Sequence, residues 1–235
     1  MKIFALTDVG RRRDANEDAY YINHDQHVFA VADGMGGHNA GDVASRIVRD
    51  FLTDMVVSDD VALTDIFKNI NSRIFDESDK NEECKGMGTT LTLLKLIGEQ
   101  AKIAHIGDSR AYLIRGESIK QLTTDHTMVN ELLRIEQITP EEAATHPYQN
   151  VLSRALGVEK NIIVEEKSYE LQDGDRFLLS TDGLHGAVSD EEIRQIFTSE
   201  DNDAEAIAEK LMEEALQRGG KDNITVIVIT SIAID

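Results

Sequence analysis

The stretch that most constrains this chain is a short apolar run that ends on a carboxylate and a cluster of glycines. Residues 28–32 read Val-Phe-Ala-Val-Ala, and Asp33 is followed by glycines at positions 34, 36 and 37. A short apolar run closed by turn residues predicts a strand buried on both faces. Because glycine has no Cβ, the backbone after Asp33 can turn sharply and approach a ligand closely. We therefore expect Asp33 at the end of a rigid strand, placed to hold a metal or a phosphate, with an ordinary strand-to-helix turn as the alternative.

Blocks of strands alternate with pairs of helices along the rest of the chain. Strands are predicted at residues 1–8, 20–23, 28–32, 91–97, 101–106, 111–114, 119–122, 162–168, 176–180 and 224–232, and helices near 40–57, 60–77, 190–197 and 203–217. Grouped strands separated by helices favour antiparallel sheets covered by helices over a doubly wound parallel sheet. The predicted fold class is α+β, a four-layer α-β-β-α sandwich in which two mainly antiparallel sheets lie between pairs of helices.

The chain is predicted to form one domain, residues 1–235, with an inserted flap at about 126–160. Its 235 residues contain no repeat and no Gly/Ser/Pro-rich linker, and a chain of this length can bury a substantial core. The segment 126–160 contains both prolines, Pro140 and Pro147. It also carries a helix-capping pattern at Thr139, so we expect a surface insert between strands.

Composition limits the classes of function. The chain has 24 Lys and Arg against 44 Asp and Glu, a formal net charge of −20, which repels nucleic acid and anionic membranes. No apolar run approaches the roughly 18 residues that span a bilayer, and the apolar N-terminus meets polar Thr7 at once, unlike a signal peptide. Cys84 is the only cysteine, which fits a reducing compartment. We expect a cytoplasmic monomer that binds neither nucleic acid nor membranes.

Four aspartates are predicted to meet at one edge of the sheets. Asp33, Asp108 and Asp182 each follow a predicted strand, and Asp222 comes just before the last one. In an antiparallel sheet the start of one strand lies beside the end of its neighbour. These carboxylates should therefore converge.

The hairpin at residues 20–32 adds two more acidic side chains. If its turn lies between Asp25 and Gln26, Asp18 pairs with Asp33 and Glu17 lies next to that pair. A one-residue slip would send these side chains to the opposite face.

Six crowded carboxylates are stable together only when cations offset their charge, because like charges raise one another's pKa. A set of oxygen ligands favours Mg²⁺, Mn²⁺ or Ca²⁺ over Zn²⁺. Two such ions about 3.5–4 Å apart would activate a water molecule and clamp a phosphoryl group. Asp33, at the centre, is the expected bridge between them.

Eight groups of motifs then point to one family. They are TDVG at 7–10 with RDANED at 13–18, ADGMGGH at 32–38, GMGTT at 86–90, HIGDSR at 105–110, LTTDH at 122–126, SRALG at 153–157, STDGL at 180–184 and KDNITV at 221–226. In this order and spacing they resemble the metal-dependent serine/threonine protein phosphatases, the PPM or type 2C phosphatases, in their compact bacterial form. The resemblance implies a β-sandwich flanked by helices. It also implies hydrolysis of phosphoserine and phosphothreonine in proteins, opposing a bacterial serine/threonine kinase.

The resemblance assigns the core of a metal site that holds two Mn²⁺ or Mg²⁺ ions. Asp33 matches the carboxylate that bridges both ions, and the carbonyl of Gly34 matches a backbone ligand of the second. Asp182 and Asp222 match the remaining carboxylates of the first.

The same resemblance assigns the surroundings of the core site. Glu17 and Asp18 match residues that bind the pair of ions directly or through water. Asp108 matches a ligand of a third, weaker metal site, which Asp182 would share. Arg13 matches the arginine that holds the substrate phosphate, with a metal-bridging water as the nucleophile.

One position departs from the eukaryotic pattern. Eukaryotic members have a histidine directly after the Asp-Gly of this motif, proposed as the acid for the leaving group, whereas this chain has Met35. The proton donor is then either a metal-bound water or His38. Two other interpretations of the whole chain stay open from the sequence: a catalytically inactive binding module with the same fold, and a calcium-stabilised structural domain.

Overall fold

A computed structural model of the chain describes residues 1–36, 40–143, 145–199 and 203–233. Its strands, numbered in chain order, are β1 (Lys2–Asp8), β2 (Asp18–Asn23), β3 (Val28–Met35), β4 (Gly88–Thr89), β5 (Leu91–Ile97), β6 (Gln100–Ile106), β7 (Arg110–Arg115), β8 (Ser118–Gln121), β9 (Glu165–Glu170), β10 (Arg176–Ser180) and β11 (Ile224–Thr230). One sheet has the order β1-β11-β10-β7-β8, and the other has the order β2-β3-β5-β6-β9, with β4 paired to the end of β3. All described pairings are antiparallel.

Helices cover the outer face of each sheet. They are α1 (Ala40–Asp54), α2 (Leu63–Lys80), α3 (Met128–Arg134), α4 (Pro140–Ala143), α5 (Asp182–His185), α6 (Asp190–Ser199) and α7 (Ala204–Gln217), with a 3₁₀ turn at Glu82–Cys84. Helices α1 and α2 pack on the sheet that contains β3, whereas α5, α6 and α7 pack on the sheet that contains β11. Helices α3 and α4 lie in the predicted flap.

Local sequence explains where two of these helices begin. The Ser189 amide donates to Glu192 Oε2 at 3.0 Å, and the Glu192 amide donates back to Ser189 Oγ at 3.4 Å, which is a capping box in front of α6. Thr139 and Glu142 exchange the same two bonds at the start of α4. The capping pattern predicted at Thr139 is thus confirmed.

Strand β3 shows why the molecule has four layers. Phe29 and Val31 belong to the core between the two sheets, whereas Val28, Ala30 and Ala32 belong to the core beneath α1 and α2. Side chains alternate across a strand, so a continuously apolar strand must be covered on both faces. The predicted α-β-β-α sandwich is confirmed.

The predicted end of β3 is wrong. The strand continues through Asp33 and Gly34 to Met35, because β4 pairs with this extension in the register Gly34↔Thr89 and Met35↔Gly88. Asp33 therefore lies inside a paired strand. The two-residue strand β4 has no periodic pattern that would reveal it in the sequence.

The predicted strand at 162–168 also starts too early. Strand β9 begins at Glu165, which pairs with His105 of β6. Strand β6 ends at Ile106 and the chain turns at Gly107, whose φ is +107°. Residues 162–164 therefore lie outside the strand pairing, and Ile162 and Val164 pack against the core beneath α1 and α2.

None of the helices in these described ranges combines the length and the apolar character that crossing a bilayer requires.

Candidate metal centre

Asp33 is fixed by its main chain. Its amide donates to Thr90 Oγ1 at 2.9 Å, and its carbonyl accepts from the Thr90 amide and from Thr89 Oγ1, each at 2.9 Å. Across the hairpin, Asp18 lies opposite Asp33. The predicted hairpin register is thus confirmed, and both carboxylates lie on one side of the same pair of strands.

Three other aspartates come from the neighbouring sheet. Asp182 follows β10 by two residues, while Asp108 and Asp222 precede β7 and β11 by two. Ser180 at the end of β10 pairs with Arg110 and with Val226. The ends of these three strands therefore lie side by side, as the sequence predicts, and their aspartates share one edge.

The pKa values show that these carboxyl groups crowd one another away from water. Burial, followed by the charges of Asp18, Asp182, Asp108 and Asp222, raises the pKa of Asp33 well above its ordinary value. Burial and the Asp222 charge raise the pKa of Asp182 to about 6. Burial and the Asp182 charge raise the pKa of Asp108 to about 7. The site is short of positive charge.

Two carboxylate oxygens in the cluster are buried without a hydrogen-bond partner. Asp18 Oδ2 accepts from Thr181 Oγ1 at 2.8 Å and from Thr225 Oγ1 at 2.6 Å, but Asp18 Oδ1 has no partner. Asp182 Oδ1 is unpartnered too. A buried carboxylate oxygen without a partner is costly. The arrangement fits oxygen atoms held ready for a cation.

Thr181 and Thr225 are positioning residues that the sequence analysis missed. They hold Asp18 from strands more than 160 residues away in the chain, as the separations of 163 and 207 residues show. Burial still raises the pKa of Asp18 to about 7, although both hydroxyl bonds lower it. The only available signal was that each threonine lies within a recognised motif.

Arg13 lies at the mouth of the cluster. Its Nη2 donates to Asp222 Oδ2 at 2.8 Å, while 51% of its side chain remains exposed. The guanidinium has further donors in a planar fork that suits phosphate oxygens. The ion pair with Asp222 therefore holds the Arg13 guanidinium in a position that an anion from solvent can reach.

Asn223 organises the loop that carries Glu17, and the sequence analysis did not assign it a role. Its Oδ1 accepts from the Glu17 amide, and its Nδ2 donates to the carbonyls of Val9 and Ala15, all at 2.9 Å. Asn223 is itself buried. Burial raises the pKa of Glu17, opposed mainly by the Arg13 charge. The hydrogen bond from its amide to Asn223 thus holds Glu17 beside the aspartate cluster, in a partly buried position.

Close packing explains why a glycine, Gly34, follows Asp33. A Cβ on Gly34 would lie 2.1 Å from the carbonyl oxygen of Gly41 and 2.7 Å from that of Glu17. The first turn of α1 therefore rests directly on β3. The expectation that the Gly34 carbonyl binds an ion stays a prediction.

The donors fit a hard divalent ion, but the side chains alone do not enclose one. Over the described residues, no three His, Cys, Asp or Glu side chains already have a metal-binding arrangement. An ion held here would need backbone or water oxygens as well, which is how Mg²⁺ is usually bound. His38, one candidate for the proton donor, lies outside the described residues.

The cluster opens onto a cleft of about 700 Å³ beneath the flap. Asp108, Asp182 and Asp222 line one side of this cleft, and flap residues such as Asn130 and Leu133 line the other. A substrate segment can therefore reach the acidic cluster from the flap side.

Comparisons with known proteins agree with this geometry. A sequence model described as protein phosphatase 2C matches residues 13–224. The protein phosphatase PhpP of Streptococcus pneumoniae is 40% identical over 242 residues, covering 98% of this chain and 97% of that protein. The serine/threonine phosphatase stp of Listeria monocytogenes is 39% identical over 235 residues, covering 95% and 93%.

Solved structures give the same answer. The serine/threonine phosphatase PstP/Ppp of Mycobacterium tuberculosis superposes with a TM-score of 0.91 at 37% identity, covering 99% of each chain. The catalytic domain of PstP in complex with two manganese ions superposes with a TM-score of 0.88 at 37% identity, covering 99% and 98%.

Proposed function

This chain belongs to the protein phosphatase 2C family and is a serine/threonine protein phosphatase, and on that premise we propose that it removes phosphate from phosphoserine and phosphothreonine with two divalent ions, Mn²⁺ or Mg²⁺. The observation that carries the proposal is the pair of buried, unpartnered oxygens on Asp18 and Asp182. They lie in a cluster whose carboxyl groups raise one another's pKa.

We assign the ligands from the placement of the residues. Asp33, Asp182, Asp222 and the Gly34 carbonyl would hold the two core ions. Glu17 and Asp18 would bind them directly or through water, and Asp108 would share a third ion with Asp182. The crowding of Asp33 by four other aspartates supports this set. Oxygen ligands without sulfur or paired histidines support Mn²⁺ or Mg²⁺.

The chemistry divides between the ions and the protein. Divalent ions bound here supply a water of lowered pKa as the nucleophile and offset charge on the phosphoryl group. Arg13 binds the phosphate oxygens with the donors that Asp222 leaves free. Asn223 and the two threonines hold Glu17 and Asp18 in place. Met35 has no proton to give, so the leaving oxygen takes its proton from water or from His38.

The substrate must be supplied by a protein kinase, because hydrolysis of a phosphoserine ester reverses protein phosphorylation. We therefore propose phosphoproteins as substrates and a cognate bacterial serine/threonine kinase as the opposing enzyme. We also propose that residues 1–235 form one catalytic domain with a flap at about 126–160. The family match over residues 13–224 supports a single unit.

Metal removal tests the proposed function. A phosphothreonine peptide and an aryl phosphate are assayed with Mn²⁺ and with EDTA, using the wild type and Asp182→Asn. We expect EDTA to abolish hydrolysis and Asp182→Asn to lower kcat/KM about 100-fold or more, since a ligand of the catalytic ions is lost. Asp25→Asn, an exposed change in the β2–β3 turn, is the matched control. Equal activity in all conditions would contradict the proposal.

A further inference from the structure

A second cavity, of about 230 Å³, lies at the base of the flap. Its apolar lining comes from Leu152, Ala155 and Val158 of the flap base and from Met35 and Ile106 at the ends of β3 and β6. We call it the flap-base pocket. Small-molecule sites usually measure about 300–1,000 Å³. A pocket of this size suits a single side chain, and its lining also includes the polar residues Arg154, Glu159 and Asn161.

The flap-base pocket lies close to the metal centre. Met35 is two residues beyond Asp33 on β3, and Ile106 is two residues before Asp108. A strand advances about 3.3 Å per residue. Met35 is therefore about 7 Å along β3 from Asp33, and Ile106 is joined to Asp108 through the turn at Gly107. An extended peptide covers the same distance in two or three residues.

Two apolar side chains at the pocket are exposed, beside the exposed polar residues Glu159 and Asn161. Val158 is 50% exposed and Ile163 is 70% exposed. Ile162 and Val164 pack against the core, so the extended segment turns the side chain between them outward. Among the residues that the structure describes, six of nine exposed large apolar side chains lie between 128 and 163. Of these six, Val158 and Ile163 line the flap-base pocket together, and exposed apolar groups that lie together mark surfaces that bind other proteins.

We infer that the flap-base pocket is a specificity site for the phosphoprotein substrate, one that receives an apolar side chain two or three residues from the phosphorylated residue. This inference rests on the proposed phosphatase activity and adds a sequence preference to it. The partner is a substrate segment because Met35 lies on the strand that contains Asp33, and Ile106 ends the strand that precedes Asp108.

A peptide series tests the preference with the full chain in Mn²⁺. The reference peptide has alanine at the three positions on each side of phosphothreonine, and each series member has leucine at one of them. We expect leucine at one position two or three residues away to raise kcat/KM about tenfold, equivalent to about 1.4 kcal/mol. A series with no increase above about twofold would overturn the inference.

Rim variants link the preference to this pocket. In Val158→Ser and Ile163→Ser, the ratio of kcat/KM for the best leucine peptide to that for the alanine peptide should fall to about threefold or less. Val56→Ser removes another exposed apolar side chain, 72% exposed and located between α1 and α2, and should keep the full ratio. An unchanged ratio in both rim variants would overturn the assignment. If no peptide is hydrolysed in Mn²⁺, the proposed function fails instead.

Discussion

Asp222 interacts with two charged neighbours, Arg13 and Asp182, so a single substitution at any of the three changes the balance of charge. One oxygen accepts from Arg13, and the same carboxylate raises the pKa of Asp182 across the site. An arginine that leaves this pair would free a negative charge next to others. The pair limits repulsion within the cluster and, in the proposed function, would hold Arg13 toward the substrate phosphate.

Replacing Arg13 tests its role in phosphate binding. We expect Arg13→Ala to lower kcat/KM for a phosphopeptide about 10–100-fold, since charge-assisted hydrogen bonds contribute about 1.5–3 kcal/mol. Arg13→Lys should recover only part of this, because an ammonium group cannot form the bidentate fork. Arg12→Ala, an exposed neighbour in the same basic run, is the control. Equal losses in the Arg12 and Arg13 variants would show that only general charge matters.

Asn223 offers a test of positioning. Asn223→Ala leaves the Glu17 amide and the carbonyls of Val9 and Ala15 without their partner. We expect a loss of about 2–4 kcal/mol in the free energy of unfolding. A higher Mn²⁺ concentration for half-maximal activity should accompany it. Urea denaturation and a Mn²⁺ titration measure the two effects, and Asn69→Ala on the exposed face of α2 should change neither. A destabilised variant with unaltered Mn²⁺ dependence would limit Asn223 to a structural role.

Some of the site was predictable at the level of residues. The Asp18–Asp33 pairing follows from the hairpin turn, because strand pairing has a fixed sum of residue numbers. Asn223, Thr181 and Thr225 were not predictable as positioning residues. Their bonds join segments far apart in the chain, and no local pattern records which distant group a buried polar side chain meets.

Among the elements, the contact between β3 and α1 depends on a missing side chain. Gly34 and Gly41 bring the two backbones together so closely that either Cβ would meet main-chain atoms of the other within 2.7 Å or less. Neither backbone can move without shifting Asp33 or the start of α1. Strand and helix are therefore one rigid unit at this point.

Gly34→Ala tests that contact. We expect the variant to lose at least about 3 kcal/mol of stability, as overpacking against backbone does at its upper range. Its Mn²⁺-dependent activity should fall with it. Gly98→Ala is the comparison, because nothing lies within 4 Å of its Cβ and only its φ of +53° opposes the change, a cost of about 1–2 kcal/mol. Urea denaturation should separate the two. Equal losses would mean that the β3–α1 contact is loose.

The boundaries of elements were the least predictable part of the fold. The spacing of apolar residues predicted the long strands and amphipathic helices, because many residues in each element follow the same burial pattern. The two-residue β4 and the late start of β9 depend on which strand lies alongside, as the register at Gly34 and at Glu165 shows. Pairing of this kind is a property of the assembled sheet.

For the molecule as a whole, the carboxylate cluster links stability to pH. The pKa of Asp18 and that of Asp108 are raised to about 7 from an ordinary value of 3.8. The folded chain thus keeps protons that the unfolded chain has released, and its stability falls as the pH rises through 7. Among the described residues, three histidines have lowered pKa values, namely His105, His126 and His185, and they oppose this trend only below about pH 6.5.

Thermal or urea unfolding between pH 6.5 and 8 tests this linkage. In EDTA we expect the free energy of unfolding to fall by about 1 kcal/mol per pH unit near pH 7. With Mn²⁺ the fall should disappear, because bound cations favour the ionised carboxylates. Asp18→Asn should reduce the slope in EDTA. A metal-free protein that gains stability across this range would contradict the raised pKa values.

Layer order was predictable for the whole molecule, but strand order was not. Continuous apolar strands require cover on both faces, which leads to the four layers. Nothing in the sequence shows that β11 lies between β1 and β10. That placement depends on contacts between the two ends of the chain.

The central position of β11 has a consequence for biosynthesis. A ribosome makes β1 first and β11 last. In the folded sheet β11 lies between β1 and β10, so these two strands are joined only after β11 has been made. The nascent polypeptide cannot complete this sheet, or bring Asp222 to Arg13, until translation has passed residue 230. A prematurely terminated product should therefore be protease-sensitive and inactive. Pulse proteolysis of released chains truncated at increasing lengths would show protection arising in one late step, whereas gradual protection would mean that the sheet assembles without its last strand.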